Sequence, residues 1–281
     1  MSIAQTLATE LHRFNAKERN HLMRFALLGE MSERQPDGTD GWVSDEFLAG
    51  IRLALLGSRS GDATQPETFS EGAVCIYAAM DYHLDWLRGA LWCTCTANKL
   101  PLGTESGPRM RFSASSNKHL DIMGNQEDID LLLVIADGPK THLVLVEAKG
   151  DSSFTKLQMR SKFSRLNSIF RAKDSLPIEG LLVSIVLLAP DAVATRAIEK
   201  HGHDKPGCIN GGFAPMKMSN FPRGLSRVTR CIEDGENPKG LKTDTRDTVL
   251  THWKIKPRRP RNTNATPRTA DGGSTEATKT R

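Results

Sequence analysis

Cysteine is scarce, at five in 281 residues, and the number is odd. A secreted fold held by paired disulfides is excluded on that count, and reduced thiols are the default expectation for Cys75, Cys93, Cys95, Cys208 and Cys231. Aromatic residues make up only 6% of the chain. No apolar run approaches the roughly 18 residues needed to cross a bilayer, which argues against a membrane helix. The first twenty residues lack a basic segment followed by an apolar one, so no secretory leader is read there and a cytoplasmic location is expected. No internal repeat is visible. His201, His203 and Cys208, with Cys231 further on, offer ligands that zinc favours, but their spacing fits no common finger or ribbon. The plainer reading of 201–212 is a glycine-rich loop.

Excess positive charge is also missing from most of the chain. The net charge is +5, yet residues 254–281 hold eight Lys or Arg against Asp271 and Glu276, a net of +6. The remainder is close to neutral. The tail is rich in Pro, Thr, Asn and Gly and nearly free of apolar residues, a composition expected of a disordered segment. Its Lys254 to Arg261 cluster is suited to phosphate contacts with DNA or RNA, and equally to a solubilising role.

What is present is concentrated between Asp128 and Lys149. Leu131 to Ala136 and Leu143 to Val146 are short runs of Leu, Val and Ile separated by Asp137, Gly138, Pro139 and Lys140, which form turns. The pattern predicts a β-hairpin. Side chains alternate along a strand, so Glu147 and Lys149 share one face and Ala148 takes the other. Seventeen positions separate Asp130 from Glu147, a spacing that a short hairpin brings together at one end. Charged groups ending apolar strands are costly unless paired or bound to a cation, and carboxylate oxygens without His or Cys suit Mg²⁺ or Mn²⁺.

Asp130 followed by Glu147-Ala148-Lys149 resembles the signature of the PD-(D/E)XK nuclease superfamily, with Ile129 where the family name has Pro. The resemblance covers about residues 70 to 190 and implies a restriction-endonuclease-like α/β core: helix, three strands, helix, strand, a mixed central sheet flanked by helices. It implies that Asp130 and Glu147 ligate Mg²⁺ or Mn²⁺ with the backbone carbonyl of Ala148, and that Asp130, Glu147 and Lys149 form the catalytic set, Lys149 placing the attacking water. The implied activity is that of a metal-dependent endonuclease on DNA, in restriction, defence or repair. RNA as substrate and a homodimer as the working assembly are compatible with it. The alternative from another class is a non-catalytic nucleic-acid-binding or assembly protein on the same scaffold.

The surrounding elements are read as follows. Thr68 to Glu71 has a capping-box pattern that predicts a helix through about Leu91, with Ile76, Met80, Leu84 and Leu87 along one face. Glu71 either closes that cap or, as the resemblance allows, adds a metal ligand. Asp81 and Asp85 fall four apart on the same predicted helix as surface positions. The first core strand is sought at 109–113 or near Leu120. A helix is predicted from about Thr155 to Lys173, then a buried strand over Leu181 to Leu188, an order that implies a parallel crossover. On that helix Lys156, Arg160 and Arg171 form a basic face that nucleic acid or plain solvent would meet, and Gln158 resembles a glutamine found after the Glu-x-Lys triplet in some branches of the superfamily. Shorter strands are read at 213–218 and 227–232. Three regions result: a helical extension over 1–66, with helices near 4–28 and 45–56 behind an N-cap at Ser44, a nuclease-like domain over 67–253, and the basic tail over 254–281.

Overall fold

The computed structural model describes residues 2–15, 20, 22, 23, 43–58, 68–96, 122, 124, 127–150, 153–170, 178–190, 192–218, 226–231 and 252–257. The chain divides into two compact units, Met1–Ser219 and Asn220–Arg281.

The first unit contains α1 (Ile3–Phe14), α2 (Asp45–Gly57), β1 (Val74–His83), α3 (Leu84–Thr96), β2 (Asp128–Asp137), β3 (Lys140–Ala148), α4 (Lys156–Phe170), β4 (Leu181–Ala189), α5 (Val193–His201) and β5 (Gly212–Lys217). Its five strands form one sheet in the order β1-β2-β3-β4-β5. β1, β2 and β3 run antiparallel, whereas β4 joins β3 and β5 joins β4 in parallel. It is a mixed α/β sheet flanked by helices. No helix among the described residues is long and apolar enough to cross a membrane.

The near-continuous apolar runs have a direct cause: both faces of the sheet are covered. Leu132, Val134, Leu143, Leu145, Val183 and Ile185 point into a core with α1, α3, α4 and α5, supplied by residues such as Leu7, Leu87, Phe163 and Ala194. Leu133, Ile135, Val144, Val146 and Val186 point the other way, against Ile51 and Leu55 of α2. Every position of β3 from Thr141 to Val146 is therefore buried, as expected of a central strand with no solvent face. Asp137 and Lys140 pair across the β2–β3 turn, which leaves Gly138 and Pro139 as a two-residue loop. Gly138 has φ 57, the left-handed conformation that a loop of this length demands of its first residue and that glycine adopts without penalty.

The helix expected from Thr68 to Leu91 is a strand over its middle, Val74 to His83. Val74 to His83 pair with Ala136 to Asp128, and the helix begins only at Leu84. Val74, Ile76, Tyr77 and Tyr82 favour an extended chain, and pairing with β2 outweighs a helical periodicity that the sequence also shows. The expected cap does not form. Ser70 donates through its backbone N (2.9 Å) and its Oγ (2.6 Å) to Asp137, and Glu71 pairs with Arg52 of α2 at 2.6 Å. β1 is thus the first strand of the three before α4, while the segments 109–113 and 120 proposed for that strand lie outside the described residues.

Other elements agree more closely with expectation. α4, β4, β5 and β6 (Ser226–Cys231) fall within a few residues of their predicted bounds. α2 starts behind Ser44, whose Oγ accepts from the Phe47 amide at 3.2 Å. α1 is shorter than predicted, ending at Phe14 with Asn15 as its C-cap, although Asn20, Leu22 and Met23 are again helical. The second unit holds β6 (Ser226–Cys231) and β7 (His252–Pro257), an antiparallel pair. Residues 254–257, read from composition as the start of a disordered tail, are the later part of β7. Residues 258–281 lie outside the described residues.

Candidate functional site

The β2–β3 register sets Leu131 against Val146. One step further along the same ladder, Asp130 falls opposite Glu147. Asp130 has the parity of Leu132 and Val134, and Glu147 and Lys149 that of Leu143 and Leu145, so all three face the layer that contains α4. The hairpin alone therefore gathers the residues singled out from the sequence. Asp130 Oδ2 accepts a hydrogen bond from the Ala148 amide at 2.7 Å, which fixes its carboxylate at the strand end.

Glu147 is 3% exposed and makes the densest set of contacts in the cluster. Its Oε1 accepts from Lys149 Nζ at 2.8 Å and from Gln158 Nε2 at 3.1 Å. Its Oε2 accepts from Lys162 Nζ at 2.5 Å. Buried charge is tolerated when it is paired and hydrogen-bonded, and both oxygens of Glu147 meet that condition. Lys149 Nζ also lies 5.8 Å from the centroid of the Phe154 ring, within cation–π range. Burial, followed by the nearby charge of Glu147, raises the Asp130 pKa above its ordinary value, and the Ala148 amide, Lys149 and Lys162 pull it partly back. The two carboxylates thus repel across the ladder, as like charges at opposed positions do.

α4 supplies the other wall. Thr155 Oγ1 accepts from the Gln158 amide at 3.3 Å at the start of the helix, and Met159, Phe163, Leu166 and Ile169 bury its apolar side. Gln158, Lys162 and Arg165 follow one another at intervals of four and three, hence on adjacent turns of one face. Gln158 and Lys162 reach Glu147, and Lys162 also donates to the backbone carbonyl of Asp128. Arg165 pairs with Asp85 in the first turn of α3, and Asp85 accepts the Gly124 amide at 2.7 Å. Burial lowers the Arg165 pKa to about 10.

Several expectations need correction. Glu71 is not near the carboxylate pair: it precedes Val74, which pairs with Ala136, at the opposite end of β2 from Asp130, and its side chain is 81% exposed. A metal role there is ruled out by position. Asp81 and Asp85 do not share a helix face, since Asp81 lies in β1 and Asp85 in α3. By register Asp81 would stand opposite Asp130, but its φ of 50 breaks the alternation, and Tyr82 turns to the helix side instead. There the Tyr82 hydroxyl donates to the Leu11 carbonyl at 2.8 Å. Lys156 and Arg160 are on the exposed side of α4, Arg160 at 4.0 Å from Asp204, while Arg171 lies outside the described residues. The buried basic groups of α4, Lys162 at Glu147 and Arg165 at Asp85, were missed. Their spacing from Gln158 was the available signal.

His201 is also not arranged for zinc. It is buried at the end of α5 and hydrogen-bonded to the backbone of Phe154, and burial, then Lys200, lower its pKa. Cys231 belongs to the second unit. Among the described residues no three His, Cys, Asp or Glu side chains are grouped to hold one metal ion. An ion at Asp130 and Glu147 would take its other ligands from the backbone, water or substrate.

Neither family models, curated proteins nor solved structures give a match to this chain.

Proposed function

We propose that the chain is a metal-dependent endonuclease of the restriction-endonuclease-like, PD-(D/E)XK kind, hydrolysing phosphodiester bonds of DNA in restriction, defence or repair. The observation that carries this reading is the juxtaposition of Asp130 and Glu147 at opposed ladder positions with Lys149 on the same face, its ammonium 2.8 Å from Glu147. β1, the β2–β3 hairpin, α4 and a parallel β4 follow the element order that the resemblance implies, with α3 added between β1 and β2.

The donor set fits a hard divalent cation. Asp130 is left destabilised by burial and by Glu147, a condition that a shared cation relieves. Its Oδ1 accepts from no described residue and is open to Mg²⁺ or Mn²⁺, and Glu147 would join Asp130 and the Ala148 carbonyl in holding the ion by exchanging one of its ammonium partners for it. When bound, such an ion lowers the pKa of a coordinated water and neutralises charge on the leaving oxygen. The remaining work falls to the chain. Lys149 holds the attacking water and stabilises charge gathering on the phosphate, Gln158 fixes the orientation of Glu147, and the buried wall of α4 limits competing solvent.

The test is incubation of the purified chain with supercoiled plasmid, linear duplex, single-stranded DNA and RNA, in Mg²⁺, Mn²⁺ or EDTA, beside Glu147→Gln and Lys149→Met. Each substitution is expected to lower cleavage by at least about a hundredfold, the usual loss of one charge-stabilising group. Metal-independent cleavage, or full cleavage by both variants, would sink the assignment. RNA cut in preference to DNA would change the substrate.

One observation favours a second reading. Both Glu147 oxygens already hold ammonium groups, and β6–β7 places Arg227 beside Lys256 and Thr229 beside Lys254 with no carboxylate in either strand. A non-catalytic protein that binds DNA through that hairpin would retard duplex in a gel, with no turnover and no response to metal.

A further inference from the structure

We propose that Lys162 fills the place of a second divalent cation, so that the Asp130–Glu147 pair takes a single ion per chain. The inference rests on the metal-dependent reading above and concerns how many ions that site admits. Of the four carboxylate oxygens, three already accept hydrogen bonds from the chain: Asp130 Oδ2 from the Ala148 amide, Glu147 Oε1 from Lys149 and Gln158, and Glu147 Oε2 from Lys162. One oxygen is left for an ion without displacing anything.

Lys162 has the surroundings of a bound cation. Its Nζ bridges a carboxylate oxygen at the end of β3 and the Asp128 carbonyl at the start of β2, both hard oxygen donors, and the residue is only 8% exposed. A two-ion centre needs ions roughly 3.5–4 Å apart with carboxylate oxygens shared between them. The ammonium occupies that shared position on Glu147. Formal charge points the same way: Asp130 and Glu147 balance Lys149 and Lys162, so one divalent ion leaves +2 to meet a phosphodiester and two would leave +4 in a largely buried site, where like charges repel strongly.

The measurement is the stoichiometry of Mn²⁺ binding to the full chain without DNA, by titration calorimetry, with electron paramagnetic resonance to separate a spin-coupled pair of ions from isolated ones. One isolated ion is expected for the native chain and for Lys162→Arg, and two coupled ions for Lys162→Met, which keeps the aliphatic stem and vacates the charge. Thermal unfolding checks that each variant folds, and Lys162→Gln, which retains a donor toward the Asp128 carbonyl, takes the place of the Met variant if that one does not. Two coupled ions in the native chain, or a single ion in the folded uncharged variant, overturns the proposal while leaving the metal site in place. No ion in the native chain removes the metal-dependent reading and the proposal together.

Discussion

Asp130 stands one step beyond the last β2–β3 pair, Leu131 with Val146, level with Glu147 by the same register and held there by the Ala148 amide at 2.7 Å. Two carboxylates in that relation are a liability to the fold unless something positive joins them. Lys149 and Lys162 approach on the Glu147 side, and Asp130 keeps a raised pKa because of burial and the charge of Glu147.

Asp130→Asn removes the repulsion and keeps an oxygen for the Ala148 amide. Without divalent metal at pH 7 the variant is expected to be more stable than the native chain by about 0.5–1 kcal/mol, the scale of a cross-strand charge pair. A raised native pKa means that the folded state binds the proton more readily than the unfolded one. The native chain therefore loses stability as pH rises from the ordinary aspartate value through the raised one, and the gap between the two proteins should close below that window. Urea unfolding in EDTA between pH 3.5 and 7 measures it. A variant less stable at every pH would show that Asp130 acts as a structural anchor rather than a strained ligand.

Arg165 and Asp85 form a buried pair between α4 and α3, and the Gly124 amide adds a third partner. Removing one member of such a pair leaves the other charge buried. Arg165→Met is expected to lower stability by about 3–5 kcal/mol, and the double variant with Asp85→Asn by less than the two single losses combined. Guanidinium unfolding of the four proteins in the cycle provides the comparison, and additive losses would mean that the two residues do not depend on one another.

Asp81 adopts φ 50 inside β1, a conformation that Asp tolerates and β-branched residues do not. Asp81→Val should cost about 1–3 kcal/mol although valine is otherwise a better strand residue. The thermal midpoint of this variant, compared with Asp81→Asn, is the check; equal midpoints would mean that the backbone there is under no constraint.

Arg227 is paired in register with Lys256 and Thr229 with Lys254 across β6–β7. The triple variant Arg227→Gln, Lys254→Gln, Lys256→Gln is expected to weaken duplex DNA binding at least tenfold and to reduce the slope of affinity against salt by about 0.9 for each lost phosphate contact. Fluorescence anisotropy in EDTA, over 50 to 200 mM salt, records both quantities. An unchanged slope would remove this hairpin from the interface.

Much of the site was legible because its geometry is local. Leucine-rich runs either side of a Gly-Pro turn define β2 and β3, and alternation then fixes which face Glu147 and Lys149 share. Gln158, in the first turn of the helix that follows, was found from the resemblance, which places a glutamine after the Glu-x-Lys triplet. Lys162 and Arg165 were not, since whether a basic residue beside an apolar stripe points outward or inward depends on where α4 rests against the sheet. β1 was misread because its residues satisfy a helical period as well as a strand, and the choice is made by β2, more than forty residues later in the chain. Thr68 and Glu71 show how a local signal can mislead: their spacing has the look of a capping box, yet a strand follows and Glu71 pairs with Arg52 instead.

The Gly138-Pro139 loop acts as a length gauge for chemistry at the other end of the hairpin. Because side chains alternate, a slip of one residue between β2 and β3 would set Asp130 against Val146 or Ala148 and present one carboxylate to each side of the sheet. Every atom of the acidic cluster would still be encoded, yet no common ion could span it. A single inserted residue in that turn, where it carried such a slip into the strands, would part Asp130 from Glu147 without touching either. The length of that loop is thereby tied to the juxtaposition of the two carboxylates.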